Sequence, residues 1–371
     1  MPIGLVLMRW DIKVSTEILA KYPEELIISD ETLMQIYAAH EYTGEPGMIS
    51  LLVGPLNIAS YYTGREKPLY IILLLNLDED ADAYEGGLSD ISRVIFQNFE
   101  DNGYLDMIPF LFQRLSTYPT LNEEQSLAIT YLDGVNRLII NRLREEGVIT
   151  KSELKIWLKD RYREGFFDVD AILMELIKKE VIKETSVKGM PSELIFLIND
   201  LFMIRRPPIK LLKNPVERGL PEKFVGEYNV AVKNFFQKYK PSDEDNLKVL
   251  DGVIADPQVY EILKLLRISI VTKNVLEKLR KKGVDDIDGG LKKLWDSQMI
   301  HVFQDDKGNE YYALLSDFHN SLIYPKYMLN TIIDQYRVKS KSDGVLIEYL
   351  NVLDDNYRHT KLMTEVEEQE E

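Results

Sequence analysis

The chain has 371 residues, 45% hydrophobic and 29% charged, an ordinary globular balance that excludes wholesale disorder and suggests two or three domains. Asp and Glu number 61 against 45 Lys and Arg, a formal charge of −16, so phosphate backbones are repelled unless a basic patch is segregated from the rest. There are no cysteines and only four scattered histidines (His40, His301, His319 and His359), which excludes disulfides, a thiol nucleophile and thiolate metal sites, and no cofactor or metal site is expected.

Residues 1–10 are apolar but too short to span a bilayer, with no basic leader or small-residue cleavage site; the greasy run Leu69–Leu75 is strand-sized. These features predict a cytoplasmic protein without a transmembrane segment, peripheral attachment through a partner remaining open.

Residues 3–8 form a continuous apolar run suited to a strand buried on both faces, and 14–20 can pair with it as a hairpin. Ser29 or Asp30 can cap a helix whose stripe is Leu33, Ile36, Tyr37 and His40, ended by Gly44-Glu45-Pro46-Gly47. Three strands are predicted at 48–53, 56–63 and 69–77, then helices at 83–101 and 104–116. The order β-β-α-β-β-β-α-α implies an antiparallel sheet covered by helices.

That order, with the 69–77 strand running into an acidic helix start, resembles the longin domain of the profilin-like group, which also includes roadblock domains. The resemblance covers 1–117 and implies a scaffold that binds small GTPases or similar domains without catalysis of its own.

Residues 118–206 read as a helix over 122–146 stopped by Gly147, a second from Thr150 to about 163 with Glu153 at capping-box spacing, a third capped by Asp168, and wing strands at 181–187 and 193–204. A structured connector, 207–255, holds one helix near 221–239. The pattern recurs over 256–337. Asp256-Pro257 opens its first helix, Gly283 closes its second, and Asp305-Asp306-Lys307-Gly308-Asn309 turns its hairpin before a long helix over 316–336. Both units resemble winged helices. Residues 338–371 form a C-terminal segment whose acidic end, 364–371, is expected to be disordered. The fold class expected is therefore α+β: a longin-like antiparallel sheet flanked by helices, then two winged-helix domains.

No phosphate-binding loop, G-x-S-x-G elbow, H-E-x-x-H pair or dinucleotide fingerprint occurs. Asp78-Glu79-Asp80-Ala81-Asp82 fails as a calcium loop, because Ala83 and Ser89 stand where glycine and glutamate are needed; it reads as an acidic helix start. Over 256–315 ten basic residues meet ten acidic ones, and the third helix of that unit begins with Asp285, Asp286 and Asp288, which would face phosphates. Arg280-Lys281-Lys282 is the best basic cluster and fits a solvated helix end. Residues 1–117 carry seven basic against eighteen acidic residues, a field that attracts basic partners.

Arg65 sits in a tight polar loop before the last sheet strand. An exposed arginine on such a loop can enter a partner's nucleotide pocket and stabilise charge on a transferred phosphoryl group. A longin domain followed by winged helices resembles the nitrogen-permease-regulator-like subunits of GATOR-type complexes, one of which carries its GTPase-activating arginine in the corresponding loop. Gly64, Glu66, Lys67 and Pro68 match no motif, and the plainer reading of Arg65 is a solvated hairpin residue. The expected function is a non-catalytic interaction scaffold, pairing through the first domain with a small GTPase or another longin/roadblock-like domain in GTPase regulation or membrane traffic. The alternatives are a GTPase-activating protein using Arg65 and a winged-helix transcription regulator.

Overall fold

Five apolar runs at the start of the chain become the strands of one antiparallel sheet. The computed structural model describes every residue except 1, 12–14, 45, 65–67, 100–101, 162–168 and 371. In chain order it begins with β1 (Gly4–Asp11), β2 (Ser15–Tyr22), α1 (Asp30–Thr43), β3 (Gly47–Val53), β4 (Leu56–Tyr62), β5 (Leu69–Leu75), α2 (Glu85–Gln97) and α3 (Tyr104–Thr117), the expected order. The sheet runs β2-β1-β5-β4-β3. Successive side chains of a strand point to opposite faces, so a strand covered on both sides reads as an unbroken apolar run. In β5, Leu69, Ile71, Leu73 and Leu75 pack with Leu88, Ile91, Ile95, Ile108, Leu111 and Leu115 of α2 and α3, while Tyr70, Ile72 and Leu74 pack with Leu33 and Ile36 of α1. Gly87 permits the close approach of α2 to the α3 end, since a Cβ there would lie 2.8 Å from Leu115 Cδ2 and 2.9 Å from Tyr118 Cγ.

The middle of the chain departs from expectation. The single helix over 122–146 is two helices, α4 (Glu123–Leu132) and α5 (Gly134–Glu146). Between them Asp133 is extended (ψ 124°), and its carboxylate accepts from the N–H groups of Val135 and Asn136, starting a new helix where one was to continue. Gly147 ends α5 at φ 73°, as expected. Next come β6 (Val148–Thr150), α6 (Lys151–Arg161) and α7 (Val169–Lys178); Thr150 Oγ1 accepts from Glu153 N, and the cap assigned to Asp168 lies outside the described residues.

The hairpin expected over 181–204 holds β7 (Ile182–Thr185) and β8 (Leu194–Leu197) in a sheet of order β6-β8-β7, but the expected strand over 193–204 breaks. Ile198 N and Asn199 N both donate to Val181 O, and the chain leaves as β9 (Asp200–Arg206). The connector contains α8 (Ile209–Lys213), α9 (Val225–Lys238), α10 (Asp243–Val249) and a π-helical turn, Leu250–Ile254. The repeat of the pattern comprises α11 (Pro257–Ile268), β10 (Val271–Thr272), α12 (Lys273–Leu276), α13 (Ile287–Asp296), β11 (Ile300–Gln304) and β12 (Glu310–Leu314). Asp256 caps α11, and Asp305 Oδ1 holds the hairpin by accepting from Lys307 N and Asn309 N.

The helix expected over 316–336 is corrected to β13 (Asp317–Ile323) followed by α14 (Met328–Val338). β13 pairs antiparallel with β9 from Asp317↔Arg206 to Ile323↔Asp200, and this distant pairing overrides the helical spacing of Phe318 and Leu322. The acidic tail, expected to be disordered, is the end of a final helix, α15 (Asp343–Glu370).

The chain divides into two compact units, 1–120 with 150–178, and 121–149 with 179–371. The segment 118–206 is thus shared: α6 and α7 belong with the five-stranded sheet, and its remaining elements belong to the second unit.

Candidate functional site

The two edges of the sheet differ sharply. β2 carries Glu17 and Lys21, and its pairing with β1 is irregular at Leu7/Met8. Glu17 accepts from Arg9 Nη2 at 2.6 Å, and Lys21 Nζ donates to Leu26 O at 2.9 Å. Charges and bulges are the usual protection of an edge whose outer N–H and C=O groups are unpaired. β3 has neither. Gly-Met-Ile-Ser-Leu-Leu-Val is free of charge and proline, and its register with β4 is continuous from Gly47↔Tyr62 to Val53↔Leu56. No residue of β3 is buried, whereas every residue of β5 is, and Leu52 is 72% exposed. Beside this edge lies a depression of about 390 Å³, lined by Glu31, Thr32 and Gln35 of α1 and by residues 52–56 of the β3–β4 turn. Asp30 and Glu31 occupy the first turn of α1, which Ser29 caps by accepting from Thr32 N at 3.2 Å. The result is a strand edge open to pairing, next to a depression whose lining mixes Glu31, Thr32 and Gln35 with Leu52, Val53 and Leu56.

Arg65 lies outside the described residues, so the structure assigns it no geometry. The base of its loop is fixed: Thr63 N donates to Leu69 O at 3.1 Å, and Leu69 N donates to Thr63 Oγ1 at 3.0 Å. The loop therefore springs from a closed stem between two central strands.

His40, the last residue of the predicted α1 stripe, is buried. Its Nε2 lies 2.9 Å from Ser60 Oγ, and its ring sits beside the stacked rings of Tyr62 and Tyr70. Burial pushes the imidazole down to about 4, against a weaker upward pull from Ser60, so it is neutral at pH 7. With no carboxylate on the ring, this His–Ser pair lacks the third member of an acyl-transfer triad. The acidic run before α2 behaves as a helix start: Asp80 accepts from Asp82 N, and Glu79 accepts from Asn76 N and Tyr84 Oη. Among the described residues no group of three His, Asp or Glu is placed to hold a metal, and no helix is long and apolar enough to cross a membrane.

Two features bear on nucleic acid. In α7, Ile172, Leu173 and Leu176 are buried, Glu175 meets Arg93 of α2 at 3.3 Å, and Lys178 pairs with Glu85. The third helix of the first repeat is thus engaged with the sheet unit. In the second repeat several cations have partners: Lys273–Asp288 at 2.7 Å, Arg280–Glu277 at 2.5 Å and Lys293–Asp256 at 2.7 Å.

The densest polar cluster escaped sequence reasoning. Arg267 of α11 donates to both carboxylate oxygens of Glu124 (2.7 and 2.9 Å), to Asp317 (2.8 Å) and to Phe318 O (2.5 Å), and Tyr260 Oη donates to Glu124 at 2.6 Å. The ion pairs hold Arg267 charged, against the opposing effect of burial. Glu124 and Arg267 lie 143 positions apart and Asp317 farther still, and no local motif announces them. Their polar groups engage one another and near neighbours, Asp317 Oδ2 accepting from Arg206 and Tyr260 Oη from Asn122, so the cluster ties α4, α11 and β13 together. No protein-family model, curated protein or solved structure matches the chain, so its own geometry carries the functional reading.

Proposed function

We propose that the protein is a non-catalytic interaction scaffold whose longin-like N-terminal domain pairs, through the β3 edge, with a similar sheet domain or a small GTPase, while its two winged-helix-like segments serve as protein-binding modules. The carrying observation is the undefended edge: seven residues without charge, proline or bulge, beside a protected counterpart. Adding a partner strand there supplies main-chain hydrogen bonds, and the neighbouring depression supplies side-chain selectivity. The eighteen acidic residues of 1–117 favour a partner with a basic rim. The engagement of α7 and the paired cations of the second repeat support protein over DNA as the ligand of these modules.

The test is affinity purification of the full chain from its native cell. Wild type should recover a small GTPase or a longin/roadblock-like protein at physiological salt, and Ile49→Pro, which interrupts β3 at a residue that is not buried, should lose it. Recovery of neither class, or equal recovery by the variant, overturns the reading.

A second reading, GTPase activation by Arg65, draws on the closed Thr63–Leu69 stem at the base of its loop. It requires that the partner GTPase hydrolyse faster with the protein, and that Arg65→Ala remove the stimulation while binding persists. Equal stimulation by the variant eliminates it.

A further inference from the structure

The last two helices of the second unit form a hairpin with one side anchored and the other open. Tyr324 and Tyr357 meet at 5.3 Å at one end, and Lys339 Nζ reaches Asp343 at 3.3 Å at the other, so α14 and α15 run antiparallel. The anchored side is settled by burial and hydrogen bonds. Met328 and Ile332 of α14 and Leu346, Tyr349 and Leu353 of α15 are buried; Gln335 Nε2 donates to Glu146 O, and Tyr349 Oη donates to Leu197 O. The other side exposes Leu329, Ile333 and Tyr336 at i, i+4, i+7 on α14, and Ile347 and Leu350 on α15. Ile333 is 46% and Ile347 58% exposed. Such a stripe at helical spacing is the kind of surface that a helical partner covers.

Charge indicates which partner. Residues 326–341 carry Lys326, Arg337, Lys339 and Lys341 against Asp334 alone. Residues 343–358 carry Asp343, Glu348, Asp354 and Asp355 against Arg358 alone. One arm is basic and the other acidic, so the hairpin is complementary to itself about a two-fold axis that lays α14 of one copy over α15 of the other. The existing pairs Lys339–Asp343 and Arg358–Asp354 are solvent-exposed and cost little to exchange.

We propose that the α14–α15 hairpin is a homodimerisation surface, closing with a second copy of this chain into a four-helix bundle. Its core is the five-residue apolar stripe and its rim the opposed basic and acidic arms. This interface belongs to the second unit, and the β3 edge to the first.

Sedimentation velocity on the full chain across micromolar concentrations tests it. Wild type should show a concentration-dependent dimer. Ile333→Asp with Leu350→Asp should raise the dimer dissociation constant at least tenfold, about 1.4 kcal/mol, with helical circular dichroism unchanged because both positions are exposed. Arg337→Glu with Lys339→Glu should weaken the dimer, as should Asp354→Lys with Asp355→Lys, yet the two charge variants mixed should form a heterodimer. A chain that stays monomeric throughout, a dimer that none of these changes alters, mixed charge variants that do not associate, or a dimer abolished by Ser50→Lys in β3 would each overturn the proposal.

Discussion

β2 and β3 end the same sheet on opposite sides, and their sequences treat the unpaired backbone differently. β2 interposes Glu17 and Lys21, fixes both in contacts, and bends at an irregular pairing with β1. β3 offers seven uncharged residues in straight register, none of them buried. A soluble protein whose exposed edge was merely incidental would be expected to guard both sides, because an open apolar edge invites aggregation. Guarding one alone points to use of the other. The sheet can leave β3 bare because its stability resides in β1, β4 and β5, which are covered on both faces by α1, α2 and α3.

The sharpest way to break this contrast is to attack the supposed stable centre. Leu73→Ala, in a fully buried β5 position, should destabilise the sheet unit by roughly 2–5 kcal/mol in chemical denaturation. A loss no larger than that of an edge substitution would show that stability is spread evenly across the strands. The pH dependence probes the same interior. Because burial lowers the His40 pKa from 6.5 to about 4 in the folded chain, the unfolded chain takes up its proton first as pH falls. Stability should therefore drop between pH 6.5 and about 4, by at most about 3 kcal/mol, and level off below; His40→Gln should flatten that part of the profile.

A third measurement concerns how α7 is held. Arg93 lies among Asp90, Glu175 and Ser89, so Arg93→Ala removes the cation 3.3 Å from Glu175 of α7, while Asp90 keeps Arg114 at 2.6 Å. A cost of about 1–3 kcal/mol is expected, with faster amide exchange in 169–178 than in β5. The edges themselves are compared by placing one charge on each. Ser50→Lys, at an exposed position of β3, should weaken partner binding at least about tenfold with little change in melting temperature, and Ile18→Lys in β2 should leave binding intact. Equal losses would erase the difference between the edges. The smallest effect belongs to Leu52→Ala: at 72% exposure it should change folding stability by less than about 0.5 kcal/mol while lowering affinity.

Local chemistry made much of this architecture legible. The apolar run over 3–8 announced a strand covered on both faces, Asp256-Pro257 a helix start, and Asp305 to Asn309 a hairpin turn, because each depends on residues within a few positions of one another. What escaped depends on distance. The β13 segment has Phe318 and Leu322 at helical spacing, and only its pairing with β9, more than a hundred residues earlier, makes it a strand. The grip of Arg267 on Glu124 and Asp317 joins three remote segments, and the break at Asp133 arises where one carboxylate caps a new helix. The contrast between the edges was partly readable from Glu17 and Lys21, but which strands lie at the edges required the sheet order. Arg65, which its loop position singled out, lies outside the described residues.

The most direct test places a photo-crosslinking amino acid at Ser50 in β3 and, separately, at Thr16 in β2, with irradiation in the native cell and identification of the adducts. Crosslinks from position 50 to a small GTPase or a longin/roadblock-like protein, with none from position 16, are expected. Adducts from position 16 alone, equal capture of the same protein from both, or none from either would contradict β3 as the docking edge.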